Sequence, residues 1–193
     1  IEVLPEGLQW CNDQEARAIS KKALTCLLKN LETIPSQCLQ KDELTSLINL
    51  VISTCEHCTR KANWAMAIQL CLATVPLVRA APSHCGVVLF KEMIDNLIAL
   101  DNPTEALAQA QECVKIFPCA EASFLSAYLH ASMSQEFGAV EVVRNLPISS
   151  EPNGVTRDDL VLLIRAAVDK NLPNLFKAVL DVCNDVVFRH DLQ

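Results

Sequence analysis

The side chains of this sequence that could do chemistry are mainly its ten cysteines and four histidines. Cys55, His57 and Cys58 stand within four residues of one another, a spacing that could begin a zinc site. Two further ligands would be needed, and His84 and Cys85 are the candidates. Cys55 and Cys58, however, continue a helical stripe of apolar residues, while His57 falls on the opposite side. We therefore expect both thiols to pack in the core, with a metal site as the alternative.

Cys85 has the setting that best suits a catalytic thiol. Ser83 is a predicted helix cap, and a thiol in the first turn of a helix lies near the positive end of its dipole, which can lower its pKa. With His84 or His57 as the base, Cys85 could act as a nucleophile, so a cysteine-dependent enzyme is one hypothesis for this chain. We favour the simpler interpretation, a small side chain packed near a helix start.

Other catalytic patterns are missing from the sequence. The four glycines stand far apart, whereas a phosphate-binding loop needs them clustered. No two histidines lie four residues apart, as ligands on one helix would. The net charge of −7 disfavours a nucleic-acid binder, which normally carries a basic stripe, although a helical-repeat RNA-binding module remains an alternative. We predict no cofactor, no metal and no enzymatic activity.

The remaining cysteines and the apolar segments bear on location. Most of the other cysteines follow apolar helical faces, which favours free thiols in a reducing compartment. The first ten residues lack the basic start and apolar run of a signal peptide. The longest uncharged stretch, residues 62–78, has 17 residues and is shorter than the roughly 20 that a membrane span needs. We predict an intracellular protein, cytoplasmic or nuclear, that does not enter a membrane.

The periodicity of apolar residues predicts nine helices and no strand. Asn12, Asn102 and Thr156 are predicted helix caps, and Glu105 and Asp159 are predicted to complete capping boxes with the latter two. The predicted helices cover residues 12–31, 42–60, 62–78, 83–100, 103–117, 120–134, 136–146, 156–170 and 174–188.

The spacing of the turns predicts how these helices are arranged. Turns within helix pairs fall near Asn63, Asn102, Glu136 and Asn171. Their intervals of 39, 34 and 35 residues are nearly constant, as in stacked helix hairpins. The predicted fold is therefore all-α, an α-solenoid of stacked antiparallel hairpins. We expect one domain over residues 1–193, itself a piece of a larger protein, with the loop 147–155 separating the last helix pair.

One segment, residues 85–118, resembles a tetratricopeptide repeat. Six residues stand where that family places its bulky, small and terminal residues: Phe90, Met93, Leu97, Ala106, Cys113 and Pro118. Ile94 and Ala110 depart from the family pattern, at positions where it has a small and a bulky residue respectively. The resemblance implies a right-handed solenoid in which the first helix of each pair lines a groove that holds a peptide.

The same resemblance implies which residues face that groove. They are Lys91, Asp95 and Ile98 in one repeat and Leu125, Leu129 and Ser132 in the next. This surface is apolar and has few basic residues, so the implied occupant is a partner helix or an apolar peptide. Other domains of the same protein could cover it instead, and the 51% hydrophobic content also allows a homo- or hetero-oligomer. We expect a non-catalytic scaffold for protein–protein interaction in a multiprotein assembly.

Overall fold

The computed structural model of the chain describes residues 14–34, 39–80, 82–146 and 156–190. Over these ranges the fold is all-α, with nine helices and no strand, as predicted. In chain order the helices are α1 (Gln14–Thr33), α2 (Lys41–Arg60), α3 (Trp64–Ala80), α4 (His84–Ala99), α5 (Pro103–Ile116), α6 (Ala120–Ser132), α7 (Glu136–Arg144), α8 (Arg157–Asp169) and α9 (Pro173–His190). No helix in the described part of the chain combines the length and the apolar composition that crossing a membrane requires. The predicted cap Asn12, the loop 147–155, Cys11 and Cys38 lie outside the described residues.

Four turns of one geometry connect the paired helices. Each turn has one non-glycine residue with a positive φ, namely Ala62, Asp101, Ser134 and Asn171. In each turn the next backbone N–H donates to the carbonyl five residues earlier, for example from Asn63 to Cys58 at 2.8 Å. This is the Schellman motif, which ends a helix by satisfying its last carbonyls. The motif explains why α3 begins at Trp64 and α6 ends at Ser132, two residues inside the predicted bounds, because Ala62 and Ser134 are turn residues.

The helices pack in chain order. The hairpins are α2/α3, α4/α5, α6/α7 and α8/α9, and α1 packs on α3. The first helices of successive hairpins also touch, α2 with α4, α4 with α6 and α6 with α8. These four helices form one layer, which we call the first-helix layer. Because each hairpin is antiparallel, the helices of this layer begin at the same end of the molecule.

The hydrophobic core consists of two clusters that meet on α6. The first is formed by α1 to α6 and includes Ala122 and Leu129, whereas the second is formed by α6 to α9 and includes Ala127 and Ala131. Most buried residues of α6 are alanine or serine. Small side chains allow close approach, which is how α6 packs on α4, α5, α7 and α8 at once.

Of the three predicted caps among the described residues, Thr156 and Asn102 cap their helices and Ser83 does not. Thr156 forms the predicted capping box, because its Oγ1 accepts from the Asp159 N–H at 3.2 Å and an Asp159 carboxylate oxygen accepts from the Thr156 N–H at 2.9 Å. The Asn102 side chain also caps α5, accepting from the Glu105 N–H at 3.4 Å. Glu105 does not complete a box. The Asn102 N–H already donates to the Leu97 carbonyl, and the Glu105 carboxylate instead accepts from Gln109.

Candidate functional site

The first-helix layer contains a cleft of about 520 Å³ formed by α4, α6 and α8. We call it the α4/α6/α8 cleft. Its thirteen lining residues are His84, Lys91, Ile94, Asp95 and Ile98 on α4, Glu121, Phe124, Leu125, Tyr128 and Leu129 on α6, and Thr156, Asp159 and Leu162 at the start of α8 and along it. Five of the six residues that the family resemblance implies are among them, namely Lys91, Asp95, Ile98, Leu125 and Leu129.

The α4 side of the cleft is a single helical face. Lys91, Asp95 and Ile98 are spaced four and then three residues apart, which places them on one side of a helix with 3.6 residues per turn. The opposite side of α4 is held in the core by Phe90, Met93 and Leu97. All three cleft residues are exposed, and Ile98 keeps 45% of its surface accessible, so α4 presents both charge and apolar surface to the cleft.

The α6 side is more deeply packed than the sequence indicated. Leu125 is half-buried, but Leu129 retains only 3% exposure and belongs to the first core cluster. Ser132, also expected in the groove, does not line the cleft, and its hydroxyl donates to the Tyr128 carbonyl at 2.8 Å. Phe124 and Tyr128 stack at a ring-centroid distance of 6.1 Å and supply aromatic surface that the sequence analysis had not assigned.

The α8 side was missed by the sequence analysis. Thr156, Asp159 and Leu162 recur every three residues and so follow one face of α8 into the cleft. Extending the α4-to-α6 correspondence by one more hairpin would have pointed to α8. The segment from 85 to 118 has no equally clear counterpart there, so the family resemblance alone did not reach it.

Two of the three carboxylates in the cleft have partners within the protein. Glu121 lies 3.4 Å from Nε2 of His84, which joins the starts of α4 and α6. Asp159 accepts from the N–H and the hydroxyl of Thr156, at 2.9 and 2.7 Å. Both carboxylates therefore have a structural role at the end of the cleft where the three helices begin.

The third carboxylate, Asp95, lines the cleft without an ion pair to any described side chain. Among the side chains that the structure describes, no cationic nitrogen lies within 4.0 Å of it. Asp95 has an exposed surface, but the surrounding protein partly desolvates its carboxylate and so raises its pKa. The neighbouring Lys91 charge lowers that pKa but does not offset the effect of desolvation. The pKa of Glu92, three residues before Asp95 on α4, is raised as well, by burial and by repulsion from Glu56 and Asp95. This part of the first-helix layer is thus rich in acidic groups.

The geometry around Cys85 does not assemble a nucleophile and a base. Cys85 is half-buried and packs against the first core cluster. Within the described residues no hydrogen bond joins it to a histidine, and His84 faces Glu121 instead. Ser83 occupies the position before α4, as expected, but its hydroxyl forms no capping hydrogen bond and is buried without a partner.

Cys55 and Cys58 lie on the buried stripe of α2, as their helical phase predicted. The sulfur of Cys55 lies 3.5 Å from that of Cys71 on α3. Burial and the neighbouring Cys55 raise the pKa of Cys58 to about 11, whereas the hydrogen bond between Cys71 and Cys55, together with burial, raises the pKa of Cys71. Raised thiol pKa values disfavour the thiolate that a metal would need. Among the described residues, no three cysteine, histidine, aspartate or glutamate side chains come together as metal ligands would.

No protein-family model, curated protein or solved structure matches this chain. The likeness of residues 85–118 to a tetratricopeptide repeat therefore stays a prediction.

Proposed function

We propose that the protein is a non-catalytic scaffold for protein–protein interaction and that it binds a partner helix or an apolar peptide in the α4/α6/α8 cleft. The observation that carries this proposal is the apolar surface left open there. Ile98 and Leu162, from two different hairpins, keep 45% and 42% of their surfaces accessible within one cleft. A concave apolar site with a few polar groups is a typical recognition surface.

The dimensions of the cleft suit one face of a helix. His84 and Ile98 lie four turns apart on α4, so the lining extends about 20 Å along that helix at roughly 1.5 Å per residue. A helix with its side chains is about 10–12 Å across, so a 20 Å length of it occupies roughly 1,500 Å³ or more. A cleft of about 520 Å³ therefore accommodates the side chains of one face and not a whole helix. An amphipathic segment with apolar residues at helical spacing matches this shape.

Two further features support a tetratricopeptide-like scaffold inside cells. The four equivalent Schellman turns and the packing of helices in chain order are what a helical-repeat protein of that kind would have. The buried thiols of Cys58, Cys71 and Cys113 have raised pKa values, and packing cysteines of this type suit a reducing compartment.

The test compares two substitutions of matched exposure. Ile98→Glu places a charge in the cleft, whereas Leu72→Glu places one on α3, outside it, at a side chain that is also 45% exposed. Both variants should melt within a few degrees of the natural protein. Proteins captured from a cell extract by the natural chain are identified by mass spectrometry. Each is then purified and titrated against the natural chain and both variants. We expect at least one partner whose affinity falls at least tenfold with Ile98→Glu only. Equal binding by both variants for every partner would reject the cleft.

A further inference from the structure

We infer that the segment bound in the cleft is an amphipathic helix that carries a lysine or arginine placed to pair with Asp95. This inference rests on the proposed function and specifies the partner by its chemistry. It follows from the charges that the cleft presents and from which of them already have partners.

Asp95 is the cleft carboxylate that is available to a ligand. Glu121 lies 3.4 Å from Nε2 of His84, and the N–H and hydroxyl of Thr156 donate to Asp159. Asp95 has no comparable contact among the described side chains, and it lies between the apolar groups Ile94 and Ile98 on the same helix. Among the side chains that the structure describes, it is therefore the one cleft carboxylate without a partner.

Docking of a wholly apolar helix in the cleft would remove water from the Asp95 carboxylate without giving it a partner. A carboxylate covered by apolar surface loses water and must gain a partner to offset that loss. Asp95 is already partly desolvated, which is why its pKa is raised. A lysine or arginine on the incoming helix would form a charge-assisted hydrogen bond where water had been, whereas a wholly apolar helix would leave the carboxylate covered and unpaired.

Lys91 does not remove this requirement. It lies one turn before Asp95 on α4 and its charge lowers the pKa of Asp95, but its nitrogen is more than 4.0 Å from the carboxylate. It is exposed and can turn toward solvent or toward an acidic group of the partner. Counting Asp95, Glu121 and Asp159 against Lys91, the lining carries an excess of carboxylates.

One segment of this chain that could be tested as the occupant, residues 147–155, lacks the required charge. Residues 147–155 directly precede Thr156, and their sequence contains Glu151 but neither lysine nor arginine. A second copy of the chain is the other occupant to test, because α9 carries Lys177 between the exposed apolar side chains of Phe176 and Leu180.

The experiment is a selection from a displayed library of 14-residue helical peptides, in which apolar residues are fixed at positions i, i+3, i+4 and i+7 and the others are randomised. The full 193-residue chain is the bait, with Asp95→Lys as the charge reversal. Asp169→Lys is the matched control, since Asp169 is exposed at the end of α8 and outside the cleft. Selected peptides are synthesised with lysine, alanine or glutamate at the enriched position, and their affinities are measured by fluorescence anisotropy.

We expect one position of the selected peptides to be enriched in lysine or arginine. Replacing that residue by alanine should weaken binding by about tenfold or more, which is the lower end of the effects measured for close charge pairs in interfaces. The preference should persist with Asp169→Lys, disappear with Asp95→Asn and turn toward glutamate with Asp95→Lys. Melting curves confirm that all variants are folded.

The remaining outcomes separate this inference from the proposed function. Apolar helices that bind the natural chain and not Ile98→Glu, but show no basic preference, would overturn the inference and leave the scaffold proposal intact. Peptides that bind Ile98→Glu as well as the natural chain would reject the cleft itself. A mass that rises with concentration in light scattering, and falls back to that of one chain with Ile98→Glu, would assign the cleft to a second copy. Lys177→Ala then tests the inference: an unchanged self-association would overturn it, and a lost one would support it.

Discussion

Glu136, the first residue of α7, caps the start of α9 through Asn174. Its Oε1 accepts from the Asn174 backbone N–H at 2.6 Å, and its Oε2 accepts from the Asn174 side-chain amide at 3.1 Å. Oε1 also accepts from the Leu175 N–H at 3.3 Å. A carboxylate at a helix N-terminus satisfies free N–H groups and interacts favourably with the helix dipole. One side chain therefore fixes the last hairpin to the one before it.

We expect Glu136→Gln to weaken this attachment and to change how stability depends on pH. The hydrogen bonds from Asn174 hold the pKa of Glu136 below its usual value of 4.5. A carboxylate whose pKa is lower in the folded state stabilises the fold fully above pH 4.5, and that stabilisation is lost as pH falls through the lowered folded pKa. Glutamine cannot titrate, so the variant should lose less stability than the natural chain between about pH 5 and 3.

Urea denaturation at several pH values measures this effect. Glu141→Gln, an exposed change on the same helix, serves as the control and should follow the natural chain. If Glu136→Gln and the natural chain lost stability in parallel as the pH fell, protonation of Glu136 would not contribute to the pH dependence of folding stability.

The turn between α2 and α3 should be stabilised by glycine. Ala62 has φ of 55°, a left-handed conformation that disfavours residues with a Cβ. Ala62→Gly removes that strain, and we expect the free energy of unfolding to rise by about 1 kcal/mol. Ala108→Gly, at an exposed position inside α5, should lower it by about 1 kcal/mol. Thermal or urea unfolding of both variants checks the two opposite signs, and a loss of stability with Ala62→Gly would contradict the assigned turn.

Gly138 leaves room for the ring of His130. A Cβ built on Gly138 would lie 2.6 Å from Nδ1 of His130, and that nitrogen is held 2.8 Å from Gln135 Oε1. Gly138→Ala should therefore destabilise the fold by about 1–3 kcal/mol although alanine favours helices. In a His130→Ala background the same change should stabilise it by about 1 kcal/mol, because only helix propensity is left. Equal effects in both backgrounds would show that the ring does not restrict position 138.

Leu129 and Ile98 both line the cleft but should differ in what their removal does. Leu129 is 3% exposed, so Leu129→Ala should lower the free energy of unfolding by about 2–5 kcal/mol. Ile98→Ala should change it by less than about 1 kcal/mol, because the side chain is largely exposed. Urea unfolding curves of both variants measure these two changes in the free energy of unfolding. A stable Leu129→Ala protein would show that Leu129 is a surface residue after all.

Local sequence signals were enough to predict the helices and their order. Apolar periodicity, Asn102 and Thr156 placed the helix bodies and two starts, and the regular spacing of turns predicted the stacking. The observed helix bounds differ from the predicted ones at Ala62 and Ser134, which have the left-handed conformation that glycine usually adopts at a helix end. Because these residues are alanine and serine, their types did not indicate a turn.

The cleft could be predicted only in part, because it depends on contacts between distant segments. Helical phase placed Lys91, Asp95 and Ile98 on one face of α4. Phase could not distinguish Leu125 from Leu129, since their burial differs through the neighbours of α6 and not through α6 itself. Contacts across 37 or 38 residues, such as His84 with Glu121 and Glu136 with Asn174, leave no local signal in the chain.

The central claim, that the α4/α6/α8 cleft holds a segment of another protein, is tested most directly by site-specific photo-crosslinking in cells. A photoreactive residue replaces Leu162, which lines the cleft, or Val161, its neighbour on α8, which does not, and the two side chains are 42% and 36% exposed. The account predicts a discrete crosslinked partner from position 162 and little or none from position 161. A partner crosslinked equally from both positions, or from 161 alone, would contradict it.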